Sequence, residues 1–536
     1  MTTPSYTEDL TDIATGDESS GWTDFSTNDQ GSPSYQDNEY PYIQGSYAIT
    51  QTCSKSKTVA NLCYDYGSDT NVGTDEAIFI WQYFASPFSM DDYAGTTTGQ
   101  AGMCVLMGNS TSNFDIWEVG GQDIPPNPYG GFTCHAVCPS VTADDISNGP
   151  RTSEQFIGAQ INLTAYPSKG EPHSVDCMRF GRGSAIFEYG ETSDYCTIAG
   201  FAAQNDSQSN RWGLIQEVSG GYLWQGRMQF GSASNLVDFR DSNVTIFIKW
   251  NPKVTANFNT IEVLNASSNI EMTGFQFIVL DTTTASKGRW ITTNDATVEL
   301  TSCLFQDMST FVFDSNTTLT TCTFTRCALV TQGGATLDGC LFDEPSGAVG
   351  MLVDDPGLID NSIFVSDGTG HAIELTSDCA GNTYTLTGMT VSGYASSNGS
   401  TGNEVIYNNS GGAVTINVDG GSGVSALTVR NGTSASTTIQ ASFVFTITGL
   451  EQNTEVTVVT AGTTTVLYHL ENATVSDGDG KYKAEYTHSG GGTIDVLIHH
   501  VNYKPDISNI LGVTLPSVNS SAKVTMFEDE NYYNPA

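Results

Sequence analysis

The chain has 536 residues, and its 59 acidic residues against 19 basic ones give it a formal net charge of −40. Because the phosphates of nucleic acids need a basic surface, this balance excludes nucleic acid as a partner, and it also argues against anionic membrane surfaces. The 55 glycines and the scarcity of long helical periodicity are typical of an all-β chain with many tight turns. No window comes near 18 consecutive apolar residues, so membrane insertion is not expected.

Residues 1–40 are predicted to be an acidic amino-terminal arm. They contain nine acidic residues and no basic one, and apart from Trp22 and Phe25 they hold few apolar side chains. Alone, such a segment cannot bury enough apolar surface to fold. Two alternatives remain open: a disordered tail, or an arm that a partner subunit orders, with Trp22 and Phe25 as anchors. The arm also lacks the basic segment and apolar core of a secretory signal, so the twelve cysteines are predicted to be thiols of a protein made in the cytosol.

Residues 41–211 are predicted to form a lectin-like β-sandwich or jelly roll. The segment DEAIFIWQYFA places Ile78 and Ile80 on one face of a strand and Phe79 and Trp81 on the other. A strand that is apolar on both faces belongs in the middle of a layered structure. The segment GGFTCHAVCPS has the look of a zinc-ligand pattern. The strand period, however, puts its cysteines on the core face and its histidine on the other, and no second ligand pair follows.

Residues 212–440 are predicted to form a parallel β-helix, because the stretch from 271 to 392 repeats itself. Six segments each begin with an apolar residue and end with Phe or Val: MTGFQF, LTSCLF, LTTCTF, LDGCLF, IDNSIF and LTGMTV. Their first residues are separated by 28, 19, 18, 22 and 27 residues, which is a spacing typical of a solenoid. Within each segment the apolar residues alternate with period two, which indicates a strand rather than a helix.

Stacking of these strands places equivalent side chains above one another. Two inward structural ladders are expected, one of Cys303, Cys322 and Cys340 and one of Phe305, Phe324 and Phe342. Beyond the repeat, residues 441–536 contain well-alternated strands with turn signals such as SDGDGK between them. They predict a compact antiparallel sandwich of immunoglobulin-like size. The predicted fold class is therefore all-β, with a β-helix between two sandwiches.

Acidic residues on an outer face of the β-helix are the first candidates for catalysis, because many β-helix proteins cleave polysaccharides. Asp307, Arg326 and Glu344 each follow a ladder cysteine by four residues, so we expect them to stack on one face. With coils about 4.8 Å apart, Asp307 and Glu344 lie about 9.6 Å apart at the backbone, near the roughly 6.5–9.5 Å between the carboxyl groups of inverting glycosidases. Arg326 between them is expected to pair with both and hold them ionised, which is wrong for a general acid. A solvated, salt-bridged ladder is therefore favoured over catalysis.

A second acidic cluster, Asp354, Asp355 and Asp360, lies in the segment LVDDPGLID. Pro356 and Gly357 mark a turn there, so an exposed loop is favoured over a calcium site. The sequence contains no phosphate-binding loop, no dinucleotide fingerprint and no G-x-S-x-G elbow. We therefore predict no catalytic residue, no cofactor and no metal.

Long stretches of the chain resemble structural proteins of tailed-bacteriophage virions. These stretches are TEDLTDIATGDESSGWTDF, YIQGSYAITQTCSKS, GRGSAIFEYG, TIAGFAAQNDS, NRWGLIQEVSGGYLWQGRMQFG, VTANFNTIEVLNASSNIEMTGFQF and DVLIHHVNYKP. The repeat region separately resembles the right-handed β-helix of pectate-lyase-like proteins and phage tailspikes. That second resemblance is architectural only, because no set of acidic and basic residues here matches the set those enzymes use.

The resemblance to virion proteins implies a non-enzymatic protein assembled in the host cytoplasm and carried on the virion surface. It implies a capsid decoration, a head fibre or a tail appendage, built as a homotrimer in contact with other capsid or tail proteins. Two alternatives remain open. One is a tailspike-like polysaccharide depolymerase or lyase, and the other is a receptor protein that binds a host surface glycan through the lectin-like domain.

Overall fold

The computed structural model describes residues 3–18, 20–23, 34–36, 42–53, 58–86, 89–92, 102–121, 131–147, 151–165, 171–190, 194–205, 212–249, 251, 253–280, 288–292, 295–394, 402–419, 427–488, 492–506, 509–515 and 519–529. Within these ranges the chain consists of strands with a single α-helix, which confirms the predicted all-β class. No helix in them is long and apolar enough to cross a membrane. The chain divides into two compact units, Met1–Ala335 and Thr336–Ala536, and each is described by itself.

The first unit opens with two facing antiparallel sheets. Their strands are β1 (Ser5–Ala14), β2 (Trp22–Thr23), β3 (Ser34–Gln36), β4 (Ala48–Cys53), β5 (Val59–Asp65), β6 (Ala77–Phe84), β7 (Met103–Ser110), β8 (Asn113–Gly120), β9 (Thr133–Val137), β10 (Asp145–Ser147), β11 (Phe156–Asn162) and β12 (Glu171–Glu188). One sheet has the order β10-β8-β7-β11-β5-β2, and the other contains β3, β4, β12, β1, β6 and β9. Apolar side chains from both sheets form one buried core, which makes this part a sandwich.

A solenoid follows in the same unit. It contains the helix α1 (Ile198–Asn205) and the strands β13 (Ile215–Val218), β14 (Gly221–Trp224), β15 (Arg227–Phe230), β16 (Asp238–Ser242), β17 (Thr245–Ile248), β18 (Thr260–Val263), β19 (Asn269–Thr273), β20 (Gln276–Val279), β21 (Arg289–Thr292), β22 (Thr297–Thr301), β23 (Leu304–Gln306), β24 (Thr310–Val312), β25 (Thr317–Thr320), β26 (Thr323–Thr325) and β27 (Leu329–Thr331). The strands stack in parallel on three faces: β16-β19-β22-β25, β14-β17-β20-β23-β26 and β12-β15-β18-β21-β24-β27. Three strands per coil and three parallel faces are the architecture of a β-helix.

The register between coils is the one that the repeat in the sequence predicts. Met272 pairs with Leu300, and Leu300 pairs with Leu319. On the next face Phe277 pairs with Phe305, and Phe305 with Phe324. Equivalent residues of successive segments are therefore neighbours in space, because alternation along each strand sends the same positions inward in every coil.

The turns between the first and second strands of each coil explain the small and polar residues of the repeat. At this point Asn243, Gly274, Ser302 and Thr321 all have a left-handed backbone, with φ of 57°, 66°, 53° and 52°. Glycine and asparagine adopt this conformation at the lowest cost. The backbone of the turn therefore favours a small or polar residue at the second such position of each segment, and Thr321, which is β-branched, adopts it at the highest cost of the four.

The long strand β12 joins the sandwich to the β-helix. Its first half pairs with β4 and β6 of the sandwich, and its second half pairs in parallel with β15 over Ser184–Phe187. The parallel stacking therefore begins at Ser184, earlier than the predicted boundary at residue 212. The other edge of this half is covered by β1, which runs antiparallel to it. Strand β1 thus covers this edge of β12 and becomes the outer strand itself, since among the described residues it pairs with β12 alone.

The amino-terminal arm does not behave as the sequence predicted. Residues 5–14 form β1 and pair with β12 of the same chain, so a disordered tail and an arm ordered by a partner subunit are both wrong for this segment. Trp22 is buried and its ring lies 5.4 Å from the ring of Tyr64, between centroids. Phe25, the other predicted anchor, lies outside the described residues. The arm has too few apolar side chains to fold alone. It becomes ordered because the edge of β12 supplies hydrogen-bond partners for its backbone.

A buried carboxylate fixes the segment that follows the arm. Oδ2 of Asp176 accepts hydrogen bonds from the backbone N–H groups of Ile43, at 2.6 Å, and Gln44, at 3.1 Å. Its Oδ1 is buried, and no described residue forms a hydrogen bond with it. Burial raises the pKa of Asp176 from 3.8 to about 7, against the opposing effect of these hydrogen bonds. On the same strand, burial lowers the pKa of His173 to about 3.

Asp176 and His173 make the stability of the first unit depend on pH in opposite directions. Because the pKa of Asp176 is raised, its contribution to stability is full below pH 4 and is lost as the pH rises through 7. Because the pKa of His173 is lowered, its contribution is lost as the pH falls below its unfolded pKa of about 6.5. The effects of Asp176 and His173 on stability therefore oppose each other over the same pH range. Only a variant that changes one of the two groups can separate them.

We expect Asp176→Asn to leave stability nearly unchanged near pH 4 and to stabilise the first unit by about 1–2 kcal/mol near pH 7. The amide oxygen retains an acceptor for Ile43 and Gln44, and the side chain no longer loses a proton in a buried place. Urea unfolding of both proteins at several pH values measures the difference. His173 is present in both the wild type and the variant, so its titration cancels when their free energies of unfolding are compared. If the difference between these free energies does not grow with pH, the prediction is wrong.

The second unit contains strands from two kinds of structure. They are β28 (Thr336–Asp338), β29 (Leu341–Asp343), β30 (Val349–Val353), β31 (Ile359–Asp360), β32 (Ile363–Val365), β33 (His371–Leu375), β34 (Thr383–Thr387), β35 (Thr390–Ser392), β36 (Ile406–Asn408), β37 (Ala413–Asp419), β38 (Val429–Asn431), β39 (Ser436–Leu450), β40 (Glu455–Thr460), β41 (Val466–Leu470), β42 (Val475–Ser476), β43 (Tyr482–His488), β44 (Thr493–His499), β45 (Tyr503–Pro505), β46 (Asn509–Thr514), β47 (Ser520–Lys523) and β48 (Met526–Glu528). The strands up to β38 stack in parallel as β28-β31, β29-β32-β35 and β30-β33-β36-β38, with a further parallel row β34-β37-β39.

Strand β39 passes from the β-helix into the carboxy-terminal sandwich. Its residues 436–442 pair in parallel with β37, and its residues from Phe443 onward pair antiparallel with β43. The sandwich itself consists of a sheet with β42, β43, β39 and β47 and a sheet of order β41-β40-β44-β46. One apolar core lies between them. Each unit therefore has one long strand that belongs both to parallel coils and to an antiparallel sandwich sheet.

Candidate functional site

The predicted acidic and basic row on the β-helix lies at turns. Asp307, Arg326 and Glu344 all have a left-handed backbone, with φ of 59°, 50° and 49°. Within the first unit the Arg326 guanidinium binds both carboxylate oxygens of Asp307, at 2.8 Å from Nε and 2.9 Å from Nη2. Glu344 belongs to the second unit. A carboxylate whose two oxygens both bind one arginine is not free to deliver a proton. The geometry of Asp307 therefore favours a salt bridge over a role as a catalytic acid.

We expect Arg326→Gln to lower the free energy of unfolding by only about 0.2–1 kcal/mol, because the arginine of this ion pair reaches solvent and solvent-screened pairs contribute little. The Arg326 side chain is 44% exposed. The matched variant Arg227→Gln removes an arginine that is 7% exposed and pairs with Glu262. It should cost clearly more because a buried side chain loses its packing, although Glu262 keeps its ion pair with Arg182 at 3.3 Å. Thermal unfolding compares the two variants; equal losses contradict the prediction.

The predicted calcium candidates do not come together as a metal site. The carboxylate of Asp355 accepts a hydrogen bond from the Gly357 backbone at 2.9 Å and caps the short 3-10 turn Pro356–Leu358. Asp360 lies in β31 beyond this turn. Over the ranges that the structure describes, no group of three or more His, Cys, Asp or Glu side chains is arranged to hold a metal ion, and this includes Asp354, Asp355 and Asp360.

The two predicted ladders lie in the interior. Cys303, Cys322 and Cys340 are buried, as are all the cysteines whose side chains the structure describes. The thiol of Cys322 donates to the Leu300 carbonyl at 3.3 Å, and a hydrogen bond with Cys322 lowers the pKa of Cys303. The aromatic ladder stacks closely within each unit: the ring centroids of Phe305 and Phe324 are 5.0 Å apart, and those of Phe342 and Phe364 are 4.8 Å apart. Both ladders are packing surfaces.

A cluster of charged and aromatic residues on the second unit was not predicted from the sequence. This corner cluster consists of His371, Glu374, Glu404, Tyr407 and Arg430. Glu374, Tyr407 and Arg430 stand in one row, because β33 pairs in parallel with β36 and β36 with β38. His371 begins β33, and Glu404 lies two residues before β36. Three successive coils thus bring together residues that are far apart along the chain.

Ion pairs and ring contacts connect the corner cluster. His371 Nε2 lies 3.1 Å from Glu374 Oε2, and Arg430 Nε lies 3.3 Å from Glu404 Oε2. The Arg430 guanidinium lies 3.7 Å from the centre of the Tyr407 ring, whose centroid is 5.3 Å from the imidazole of His371 in an edge-on arrangement. The side chain of Glu404 is fully buried, whereas that of Arg430 is 31% exposed. The corner therefore combines a desolvated carboxylate with a cation that reaches solvent.

Three buried polar atoms of the corner cluster have no hydrogen-bond partner among the residues that the structure describes. They are Glu404 Oε1, Arg430 Nε and His371 Nδ1. Arg430 Nε is close enough to Glu404 for an ion pair, but its N–H group does not point at the carboxylate. Burial lowers the pKa of His371 against the opposing effect of Glu374, so the ring is neutral at pH 7. Since an ionised carboxylate only accepts, the Nε2 atom facing Glu374 carries the hydrogen, and Nδ1 is an acceptor.

Only a weak signal in the sequence points to this cluster. Glu374, Tyr407 and Arg430 are equivalent positions of three coils, but the coils differ in length, and the repeat loosens after Val391. Register in this part is set by the pairing of the strands, which composition alone does not specify. No family model matches the chain, and no curated protein matches it.

Proposed function

We propose that the chain is a non-enzymatic structural protein of a bacteriophage virion surface, namely a capsid decoration, a head fibre or a tail appendage. The observation that carries this proposal is the continuity of β12 and β39 from sandwich sheets into parallel coils. A strand shared by two modules transmits force through backbone hydrogen bonds rather than through a hinge. Such a build suits a protein whose task is to hold a shape.

Further support comes from the sequence and from the interior. The long segments that resemble virion proteins include β1, the second half of β12 and the first coils, which are the elements that close the end of the β-helix. The ladders of cysteine and phenylalanine are buried, and a hydrogen-bonded solenoid with an apolar core suits a protein that must withstand conditions outside a cell. In this proposal the chain forms a homotrimer and contacts other capsid or tail proteins on the virion.

Cryo-electron microscopy of intact particles tests this proposal. We expect density for the chain at a fixed position on the particle surface, with threefold grouping. Light scattering on the purified full chain should give the mass of a trimer. A chain that stays monomeric at high concentration and is absent from purified particles contradicts the proposal.

A tailspike-like depolymerase or lyase is the second candidate function. The corner cluster favours this function, because the cluster places two carboxylates, Glu374 and Glu404, beside a neutral histidine. Each of these carboxylates, however, already contacts a basic side chain. Incubation of the full chain with capsular or cell-wall polysaccharide of the host decides between the two functions. We expect no shortening of the polysaccharide by size-exclusion chromatography; shortening that disappears in Glu374→Gln or Glu404→Gln assigns the enzyme.

A further inference from the structure

We propose that the side chains of Lys253 and Asp144 are a modification site, at which the folded chain forms an isopeptide bond by itself. This inference goes beyond the structural role proposed above and does not depend on where the protein is carried. It starts from a buried ion pair: Lys253 Nζ lies 2.5 Å from Asp144 Oδ1, and each side chain is only 7% exposed. Both reacting groups belong to the chain itself, so no ligand or reagent has to reach them.

Backbone hydrogen bonds hold the two reacting residues in place. Lys253 lies between β17 and β18 of the β-helix, and its carbonyl accepts a hydrogen bond from the N–H of Cys138, next to β9 of the sandwich, at 2.9 Å. Asp144 precedes β10, and its N–H donates to the carbonyl of Ile116 in β8 at 2.8 Å. Two residues that are 109 positions apart along the chain are thus fixed against each other, which lowers the entropic cost of a reaction between them.

The second oxygen of the Asp144 carboxylate faces a hydrogen-bond donor. Oδ2 accepts a hydrogen bond from the backbone N–H of Glu118 at 2.7 Å. A donor in this position polarises the carboxyl group and stabilises the negative charge that develops on Oδ2 when a nitrogen attacks Cγ. Since Cγ is one bond away from Oδ1, the Lys253 nitrogen lies at most one C–O bond length further from Cγ than from Oδ1. The amine is therefore next to the carbon that it attacks.

Glu118 adds a third charged group to this buried cluster. Its side chain is fully buried, and its position in β8 pairs with Cys104 of β7. The thiol of Cys104 lies among all three charged groups, because burial and the two negative charges raise its pKa and the positive charge of Lys253 opposes this shift. The cluster therefore holds two carboxylates and one ammonium group away from water, and the carboxylate of Glu118 serves as a base within it.

The reaction is a condensation that balances within the cluster. The ammonium group of Lys253 gives one proton to Glu118, and the neutral amine attacks Cγ of Asp144. The new C–N bond forms, the bond from Cγ to Oδ1 breaks, and this oxygen leaves as water with the proton returned by Glu118 and a second proton from the nitrogen. The last proton stays on the amide nitrogen, and no atom is oxidised or reduced. A neutral amide replaces an ion pair whose burial is costly, which favours the product.

Mass spectrometry of the purified full chain, denatured before the measurement, tests the proposal. We expect the wild type to be lighter than its sequence requires by the mass of one water molecule. Trypsin should fail to cleave after Lys253, and fragmentation of the digest should identify a branched peptide that joins Lys253 to Asp144. Lys481 is the internal control, because it forms an ion pair with Glu451 but is 45% exposed. Trypsin should cleave after Lys481, and no branched peptide should contain it.

Two variants separate the covalent bond from the ion pair. Lys253→Arg keeps a cation beside Asp144 but should keep the full mass, because a guanidinium holds its proton and does not attack the carboxyl group. Glu118→Gln keeps the ion pair and the backbone donor but loses the base, so its cross-link should form more slowly by about a hundredfold or more. Circular dichroism checks that both variants are folded, and the digest of the wild type decides the question even where a variant is not.

Three results contradict the proposal. A folded wild type with the full mass and complete cleavage after Lys253 overturns it. A loss of water that maps to an Asp–Gly step, such as Asp338–Gly339, overturns it as well, because such a step closes to a succinimide with the same change in mass. Cross-linking of Glu118→Gln at the rate of the wild type overturns the role of Glu118 as the base.

Discussion

Replacing Phe305 by alanine should lower the free energy of unfolding of the coils around it by about 3–5 kcal/mol. Phe305 is fully buried. Its ring is stacked between those of Phe277, at 5.5 Å between centroids, and Phe324, at 5.0 Å, and Phe311 meets it edge-on at 5.1 Å. Loss of the ring leaves a cavity. The paired strands cannot close it, because backbone hydrogen bonds hold neighbouring strands about 4.8 Å apart, as in all β-sheets.

Hydrogen exchange is the measurement for this prediction, because stacked coils need not unfold as a single cooperative unit. The amides of β20, β23 and β26 should exchange faster in Phe305→Ala, with the effect declining along the stack. Phe527→Ala is the matched control, since the same side chain is 58% exposed there and its removal should change stability by no more than about 0.5 kcal/mol. Equal effects of the two variants contradict the idea that the phenylalanine ladder stabilises the β-helix.

Replacing Gly183 by alanine should destabilise the junction between sandwich and β-helix by about 2–5 kcal/mol, as the sum of two costs. The backbone of Gly183 is left-handed, with φ of 69°, and an added Cβ overlaps the tip of the Phe79 ring. Phe79 has no room to retreat, because it is buried and packs on Phe258 at 5.9 Å between ring centroids. Ser184, the next residue, begins the first parallel pairing, so the strain falls where the coils start.

Gly220→Ala separates the two costs. Gly220 also has a left-handed backbone, with φ of 89°, but no atom lies within 4 Å of a Cβ at that position. It should therefore lose only the backbone contribution, about 1–2 kcal/mol. Chemical unfolding, followed by fluorescence and by circular dichroism, compares the two variants. If Gly183→Ala costs no more than Gly220→Ala, the close contact with Phe79 is not what requires glycine.

Local patterns in the sequence determined the β-helix and much of its interior. The six segments predicted that Leu300 lies above Leu319 and Phe305 above Phe324, because period-two alternation within each segment and the matching order of residues in successive segments allow one register only. They also placed Asp307 and Arg326 together, and the structure shows that ion pair. These features depend on neighbouring coils of similar length, so one alignment within the chain was sufficient.

Features that depend on distant parts of the chain were decided by the tertiary structure alone. The acidic segment 5–14 reads as an arm, yet it becomes a strand because the edge of β12 needs hydrogen-bond partners, and backbone groups supply them whatever the side chains are. The corner cluster joins Glu374, Tyr407 and Arg430 across coils of unequal length. The sequence by itself determined what stacks inside the β-helix, since repetition and burial are written in local composition. Only the fold decided which edges are closed and which charged groups meet at a corner, because pairing between distant strands follows from the whole chain.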